Sequence, residues 1–204
     1  VENTIFLKKG HKKMNPLARH GMRISIIGTS GSGKSTLALK LCAILACKHI
    51  EIDAYAWRPG WKKKPDEELL EEVEQEVKHP FWVACGNWDI TRDLIWNEAT
   101  HLVWLKLPFY QVFWRLLKRT VFNILTKKEI AGGNVETFRQ QFLSKHSIFL
   151  WALQIHWKQD ELYNNLINSA TYAPLEIVIL RSQKQIDAWI EQVTAAYSST
   201  LGSI

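Results

Sequence analysis

Little in this 204-residue sequence supports covalent cross-linking. The three cysteines, Cys42, Cys47 and Cys85, are odd in number and form no C-x-x-C pair. Their apolar neighbours make them read as reduced and mostly buried, so a disulfide scaffold is excluded and a cytoplasmic location is expected. Long hydrophobic runs are missing too. No stretch approaches the roughly 18 uncharged apolar residues of a membrane-spanning helix, and no membrane partner is expected. At the N terminus Ile5, Phe6 and Leu7 precede lysines, the reverse of a secretory signal. Internal repeats and low-complexity tracts are absent. What is present suits one core of ordinary size, with 47% hydrophobic and 23% charged residues.

The formal charge of +6 is unevenly spread. Lys8, Lys9, Lys12, Lys13 and Arg19 all precede the first periodic pattern, so residues 1–21 read as a flexible basic extension. The remaining body is only mildly basic, which suits a phosphate pocket better than a nucleic-acid groove. The ten tryptophans are the other departure from average composition. Trp57, Trp61 and Trp88 sit beside glycine or charged residues, where an amphipathic ring can wall a pocket as well as fill a core.

Strands and helices alternate along residues 22–197, ahead of a short tail at 198–204. Met22-Arg23-Ile24-Ser25-Ile26-Ile27 is β-branched and stops at glycine, the pattern of a buried strand. From Ser35 the spacing turns helical. A second strand over 49–52 ends at Asp53, and an aromatic loop with Pro59, Gly60 and three lysines follows. Pro65-Asp66 opens a helix with Leu69, Leu70, Val73 and Val77 on one face. Further strands are predicted over 81–85, 102–107 and 176–180. Between them Phe109 to Leu125 forms a helix carrying Arg115, Lys118 and Arg119 on one side. Such alternation predicts a parallel sheet covered on both faces.

Gly28-Thr29-Ser30-Gly31-Ser32-Gly33-Lys34-Ser35 matches G-x-x-x-x-G-K-[ST] at every fixed position, between a strand and a helix. The glycines let backbone N–H groups fold around a phosphate, and the following helix adds the positive end of its dipole. Lys34 can reach the outer phosphate oxygens, and the Ser35 hydroxyl can ligate Mg²⁺. Thr36 completes the segment. ATP and Mg²⁺ are therefore the expected cofactors, and nothing resembles a guanine-specifying N-K-x-D. A dinucleotide-binding reading fails because G-x-G-x-x-G is absent and Lys34 has no place in that fingerprint. Asp53, at the sheet edge where open α/β sheets bind ligands, is expected to position the metal or to take a proton from an acceptor.

From Met22 to about Val193 the order of these features resembles the adenylate-kinase-like P-loop proteins of the DNA topology modulation (FlaR-related) family. The resemblance rests on Met22 to Thr36, on Asp53 followed by Trp57-Arg58-Pro59-Gly60-Trp61 (W-x-P-G-W), and on Gly86-Asn87-Trp88. It continues through Trp104-Leu105, Leu107-Pro108 and Leu180-Arg181-Ser182. It implies a three-layer, nucleoside-monophosphate-kinase-like α/β fold with five parallel strands, helices on both faces and a helical lid at about 119–145. Arg115, Arg119 and Arg139 would then clamp phosphates, with Arg181 also near the nucleotide. Departures are plain: Cys85 and Lys106 stand where such proteins carry acids, and Trp151, His156 and Trp157 occupy a region usually richer in arginine.

The expected activity is transfer of the ATP γ-phosphate to a nucleotide or a small hydroxyl or phosphate acceptor. That acceptor would enter between Trp57, Arg58 and Trp61 on one side and Gly86, Asn87, Trp88 and Arg92 on the other, with Arg58 and Arg92 holding an anionic group. The alternative is a nucleotide-dependent, nucleic-acid-binding protein using the basic extension and lid cations.

Overall fold

The computed structural model describes residues 6–7, 22–142, 147–172 and 174–201. Five parallel strands form its centre: β1 (Arg23–Gly28), β2 (Lys48–Glu51), β3 (Trp82–Cys85), β4 (His101–Leu105) and β5 (Glu176–Leu180), in the spatial order β2-β3-β1-β4-β5. Phe6–Leu7, from the basic extension, pair antiparallel with Val178 and Ile179 at the outer edge of β5. The other residues of the extension lie outside the described residues, as do 143–146 of the lid.

The central strands read as near-continuous apolar runs because helices cover both faces of the sheet. On one face Ile24, Ile26, Val83, Val103 and Val178 pack under α1 (Lys34–Leu45) and α8 (Gln183–Leu201). On the other Ile27, Ile50, Ala84, Leu102 and Ile177 pack under α3 (Asp66–Val77), α4 (Asp89–Glu98) and α7 (Ile148–Asn168). Trp82, Trp104 and Trp189 are fully buried in these layers. Each such side chain is worth about 1.5–3 kcal/mol relative to exposure. Four-residue spacing puts Leu69, Val73 and Val77 on the inner face of α3, whose first turn carries Asp66, Glu67 and Glu68 at the positive end of its dipole.

The second predicted strand ends one residue early. Glu51 is its last residue, and Asp53 lies in the first turn of a short helix, α2 (Ile52–Ala56). The segment expected to be a loop contains a hairpin, Trp57–Arg58 against Lys62–Lys63, turned through Gly60 (φ +79°) and Trp61 (φ +57°). Beyond α5 (Phe109–Thr126) the lid holds a second hairpin, Glu129–Ile130 against Asn134–Val135, then α6 (Phe138–Phe142). Its root is tied to α5 by the buried Glu136 carboxylate, which accepts from Asn123 Nδ2 at 2.8 Å and from Gln141 Nε2 at 3.2 Å. Cys85 is buried as expected, but Cys42 and Cys47 are only half-buried, because the turn at Ala46 leaves the end of α1 at the surface.

Candidate active site

The parallel strands deliver Gly28, Glu51 and Cys85 to one edge of the sheet, with Glu51 directly across from Cys85 and Gly28 across from Leu105. The chain leaving β1 turns through Gly28 (φ +147°), Gly31 (φ +85°) and Gly33 (φ +98°) before α1 begins. A Cβ at Gly31 would sit 2.7 Å from the Val112 carbonyl oxygen, so the loop is pressed against α5 and only glycine fits there. Lys34 Nζ donates to the carbonyls of Gly28 at 2.7 Å and Thr29 at 3.1 Å, folding back over its own loop. Burial of the ammonium holds its pKa below the ordinary lysine value; the charge of Asp53, and less that of Glu51, works against this, and Arg119 works with it.

Glu51 was passed over in the sequence, yet it is the acid at the cradle. The Ser35 hydroxyl donates to its Oε1 at 2.7 Å. Its signal was its place at the true end of β2, two residues before Asp53. Cys85 Sγ lies 3.9 Å from Ser35 Oγ and 3.4 Å from His49 Nε2. Burial, then the charge of Glu51, pushes its thiol up to about 12, so it stays protonated and is a poor ligand for a hard cation. Ser35 and Glu51, by contrast, are a pair of hard oxygen donors at the mouth of a phosphate loop, a set that fits Mg²⁺.

Asp53 is held from the other side. Trp88 Nε1 donates to its Oδ1 at 2.7 Å. Trp57 packs edge-on against both Trp88 and Trp61, each with ring centroids 5.8 Å apart, so the three rings form one wall beside that carboxylate. Asn87 reaches back to the phosphate loop: its Nδ2 donates to the Gly28 carbonyl at 2.6 Å, and its Oδ1 accepts from the Gly28 N–H at 3.4 Å. Gly86 (φ +144°) lies against Ile52, where a Cβ would come within 2.8 Å.

The predicted arginines divide. Arg115 Nη1 lies 3.4 Å from the Ser32 carbonyl and its Nη2 donates to Gln183 at 2.8 Å, which puts it on the phosphate loop. Arg119, one turn on, is exposed and acts on Lys34. Arg139 is exposed on α6, and Arg181 follows β5, its backbone N–H donating to Gln185 at 2.7 Å. Arg58 and Arg92 do not converge on a shared anion: Arg58 pairs with Glu68, while Arg92 pairs with Asp89 and lies 5.9 Å from the Trp96 ring. Their carboxylate neighbours were near in sequence but had no assigned direction.

The lid meets the aromatic hairpin. Asn134 Nδ2 donates to the carbonyls of Arg58 at 3.0 Å and Ala131 at 2.7 Å, while its Oδ1 accepts from the Trp61 N–H at 2.7 Å.

No protein-family model and no curated protein matches the chain. Solved structures do. A shikimate kinase from Acinetobacter baumannii, in complex with shikimate, superposes with a TM-score of 0.54 at 13% identity, covering 88% of this chain and 94% of that one. The fold is that of a P-loop kinase. A gluconokinase from Sinorhizobium meliloti 1021 aligns over 90% of this chain and 95% of its own at 15% identity, with a TM-score of 0.49. The P-loop kinase fold agrees with the five-stranded parallel sheet read from the sequence.

Proposed function

We propose that this protein is a small-molecule kinase that moves the γ-phosphoryl group of ATP onto a hydroxyl of a small acceptor. The observation that carries the reading is Asp53: a carboxylate fixed by Trp88 beside an aromatic wall and in electrostatic contact with the lysine of a phosphate loop. ATP would lie with its phosphates on Gly28 to Thr36, its outer oxygens met by Lys34, Arg115 and Arg119. Ser35 and Glu51 would hold Mg²⁺, which when bound neutralises charge shared by the outer phosphates. Asp53 takes the proton from the acceptor hydroxyl as its oxygen bonds to the γ-phosphorus; the bond to the β,γ-bridging oxygen breaks, and ADP leaves with that electron pair.

The name of the shikimate kinase, whose structure was determined in complex with shikimate, supports a small-molecule acceptor. Kinship with the DNA topology modulation family rests on Trp57 to Trp61 and Gly86 to Trp88 and belongs to the proposal as a likeness of motif. Its nucleic-acid arm depends on Lys8, Lys9, Lys12, Lys13 and Arg19, which lie outside the described residues. Deleting residues 1–21 and titrating DNA binding against salt tests that arm. The kinase reading is tested by ADP release across an acceptor panel. Turnover should rise with the true acceptor, disappear in Lys34→Ala, and fall by about 10²–10⁴ in Asp53→Asn with little change in the KM for ATP. A panel that never stimulates ADP release defeats it.

A further inference from the structure

Behind Trp88, whose indole holds Asp53, lies a cavity of about 480 Å³ that the sequence did not anticipate, because four of its nine lining residues come from α7. Asn87 and Trp88 line one wall, Lys158, Leu162 and Tyr163 another, and Lys63 stands at the rim. The indole of Trp88 is shared between cavity and carboxylate: its Nε1 holds Asp53, and the Lys63 ammonium lies 5.7 Å from its ring centroid. Asn87 ties the same wall to Gly28, the first residue of the phosphate loop. Trp88 is therefore shared between the cavity and the proton acceptor, and Asn87 between the cavity and the phosphate loop.

The charges on this cavity decide what it takes. Its single carboxylate, Asp89, is engaged by Arg92. Lys63 pairs with Asp66 through one of its three donors, at 2.6 Å, and Lys158 is exposed. A phosphate dianion is usually met by forked guanidinium groups. The two arginines nearest in sequence to the aromatic wall, Arg58 and Arg92, are already held by Glu68 and Asp89. Lys158 and Lys63 supply ammonium groups, and because Asp66 already offsets part of the Lys63 charge the two suit one singly charged head group. Trp88, Leu162 and Tyr163 add an apolar surface that a hydrated phosphate does not use but a carbon skeleton does.

We propose that this cavity selects a small hydroxylated monocarboxylate: its carboxylate on Lys158 and Lys63, its carbon skeleton on Trp88 and Leu162, and a hydroxyl presented to Asp53. The assignment rests on the kinase reading above and excludes nucleoside monophosphates as the acceptor. Lys158 and Lys63 are then specificity-determining residues, and the carboxylate passes through the reaction unchanged.

The test is an ADP-release screen of the full chain with three arms: glycerate, threonate and quinate; AMP, CMP and UMP; glycerol and glucose. Each active compound is then measured with Lys158→Gln. The proposal expects turnover in the first arm only, with KM for the acid raised about 10- to 100-fold in Lys158→Gln and kcat within about twofold. Lys158→Arg should restore most of that loss. Turnover with a monophosphate or a neutral polyol, or a monocarboxylate whose KM ignores Lys158, overturns this assignment while leaving the kinase reading standing. Silence in all three arms is resolved by calorimetry with the first-arm acids in the presence of ADP: binding that weakens in Lys158→Gln supports the cavity assignment even though the kinase reading fails, and no binding overturns both.

Discussion

Gly132 and Gly133 offer a matched pair of substitutions that isolates the lid's contact with the aromatic hairpin. Both residues have left-handed backbone conformations, φ +69° and +75°. Alanine at either therefore carries a similar conformational cost, about 1 kcal/mol. They differ in surroundings. A Cβ on Gly132 would sit 2.2 Å from the Trp57 carbonyl oxygen, whereas one on Gly133 meets nothing within 4 Å. Gly132→Ala must push the two hairpins apart, and with them go the Asn134 bonds to the Arg58 carbonyl and the Trp61 N–H. Two hydrogen bonds at about 0.5–1.5 kcal/mol each amount to about 1–3 kcal/mol. The closed arrangement should thus be depleted about 5- to 150-fold in Gly132→Ala, and far less in Gly133→Ala. The assay is acceptor-dependent kcat/KM for each variant, alongside the proteolysis rate of the lid. Thermal midpoints should stay close to each other, because the clash lies outside the central sheet. Equal kcat/KM values for the two variants would refute the argument that this contact supports turnover.

Other outcomes follow from the same geometry. Glu51→Gln should raise the Mg²⁺ concentration needed for half-maximal turnover at least tenfold while leaving the acceptor KM near its wild-type value; a magnesium titration decides, and an unchanged midpoint removes Glu51 from the metal site. Asn87→Ala takes both side-chain partners from Gly28 and should cost about 1–3 kcal/mol, read as a lower urea midpoint together with weaker ATP binding. The Cys85 thiol is pushed up to about 12 in the fold, against an unfolded value of about 8.5. Between these values the unfolded chain has shed a proton that the native protein keeps, so stability is fully present below the lower value and falls as pH rises through the window. Urea midpoints followed from about pH 8 to about pH 11 should drop more steeply in the wild type than in Cys85→Ala, and parallel curves would remove Cys85 from that balance.

The scaffold was legible because its signals are local and repeated. Three of the parallel strands, β1, β3 and β4, are short apolar runs with a glycine or proline soon after them, and the covering helices have apolar faces at helical spacing. The phosphate loop was legible because two glycines, a lysine and a serine must fall at fixed positions within eight residues. Side-chain direction was harder to read. Arg58 and Arg92 look like an anion clamp in the sequence, but each has an acid within reach on its own surface, ten residues away at Glu68 and three at Asp89. Glu51 was hidden by a strand boundary drawn one residue too far, which moved attention to Asp53. The cavity was hidden for a topological reason: Lys158 lies about seventy residues from Trp88 in the chain, and only the return of α7 across the sheet brings them together. No periodicity within either segment carries that information.

The carbonyls beneath Lys34 carry one more consequence. The Gly28 oxygen accepts from Asn87 as well as from Lys34, and the Thr29 oxygen accepts from the Ser32 N–H at 3.1 Å as well as from Lys34. Each acceptor thus has a second donor in place. When the ammonium swings out to a phosphate oxygen, neither carbonyl is left bare, and the loop sheds its lysine without the penalty of an unpaired polar group. One of the two stand-in donors, Asn87, belongs to the wall that faces the acceptor. The freedom of the lysine to move is therefore underwritten by the other substrate's side of the cleft, and a disturbance there would be felt first as a reluctant Lys34.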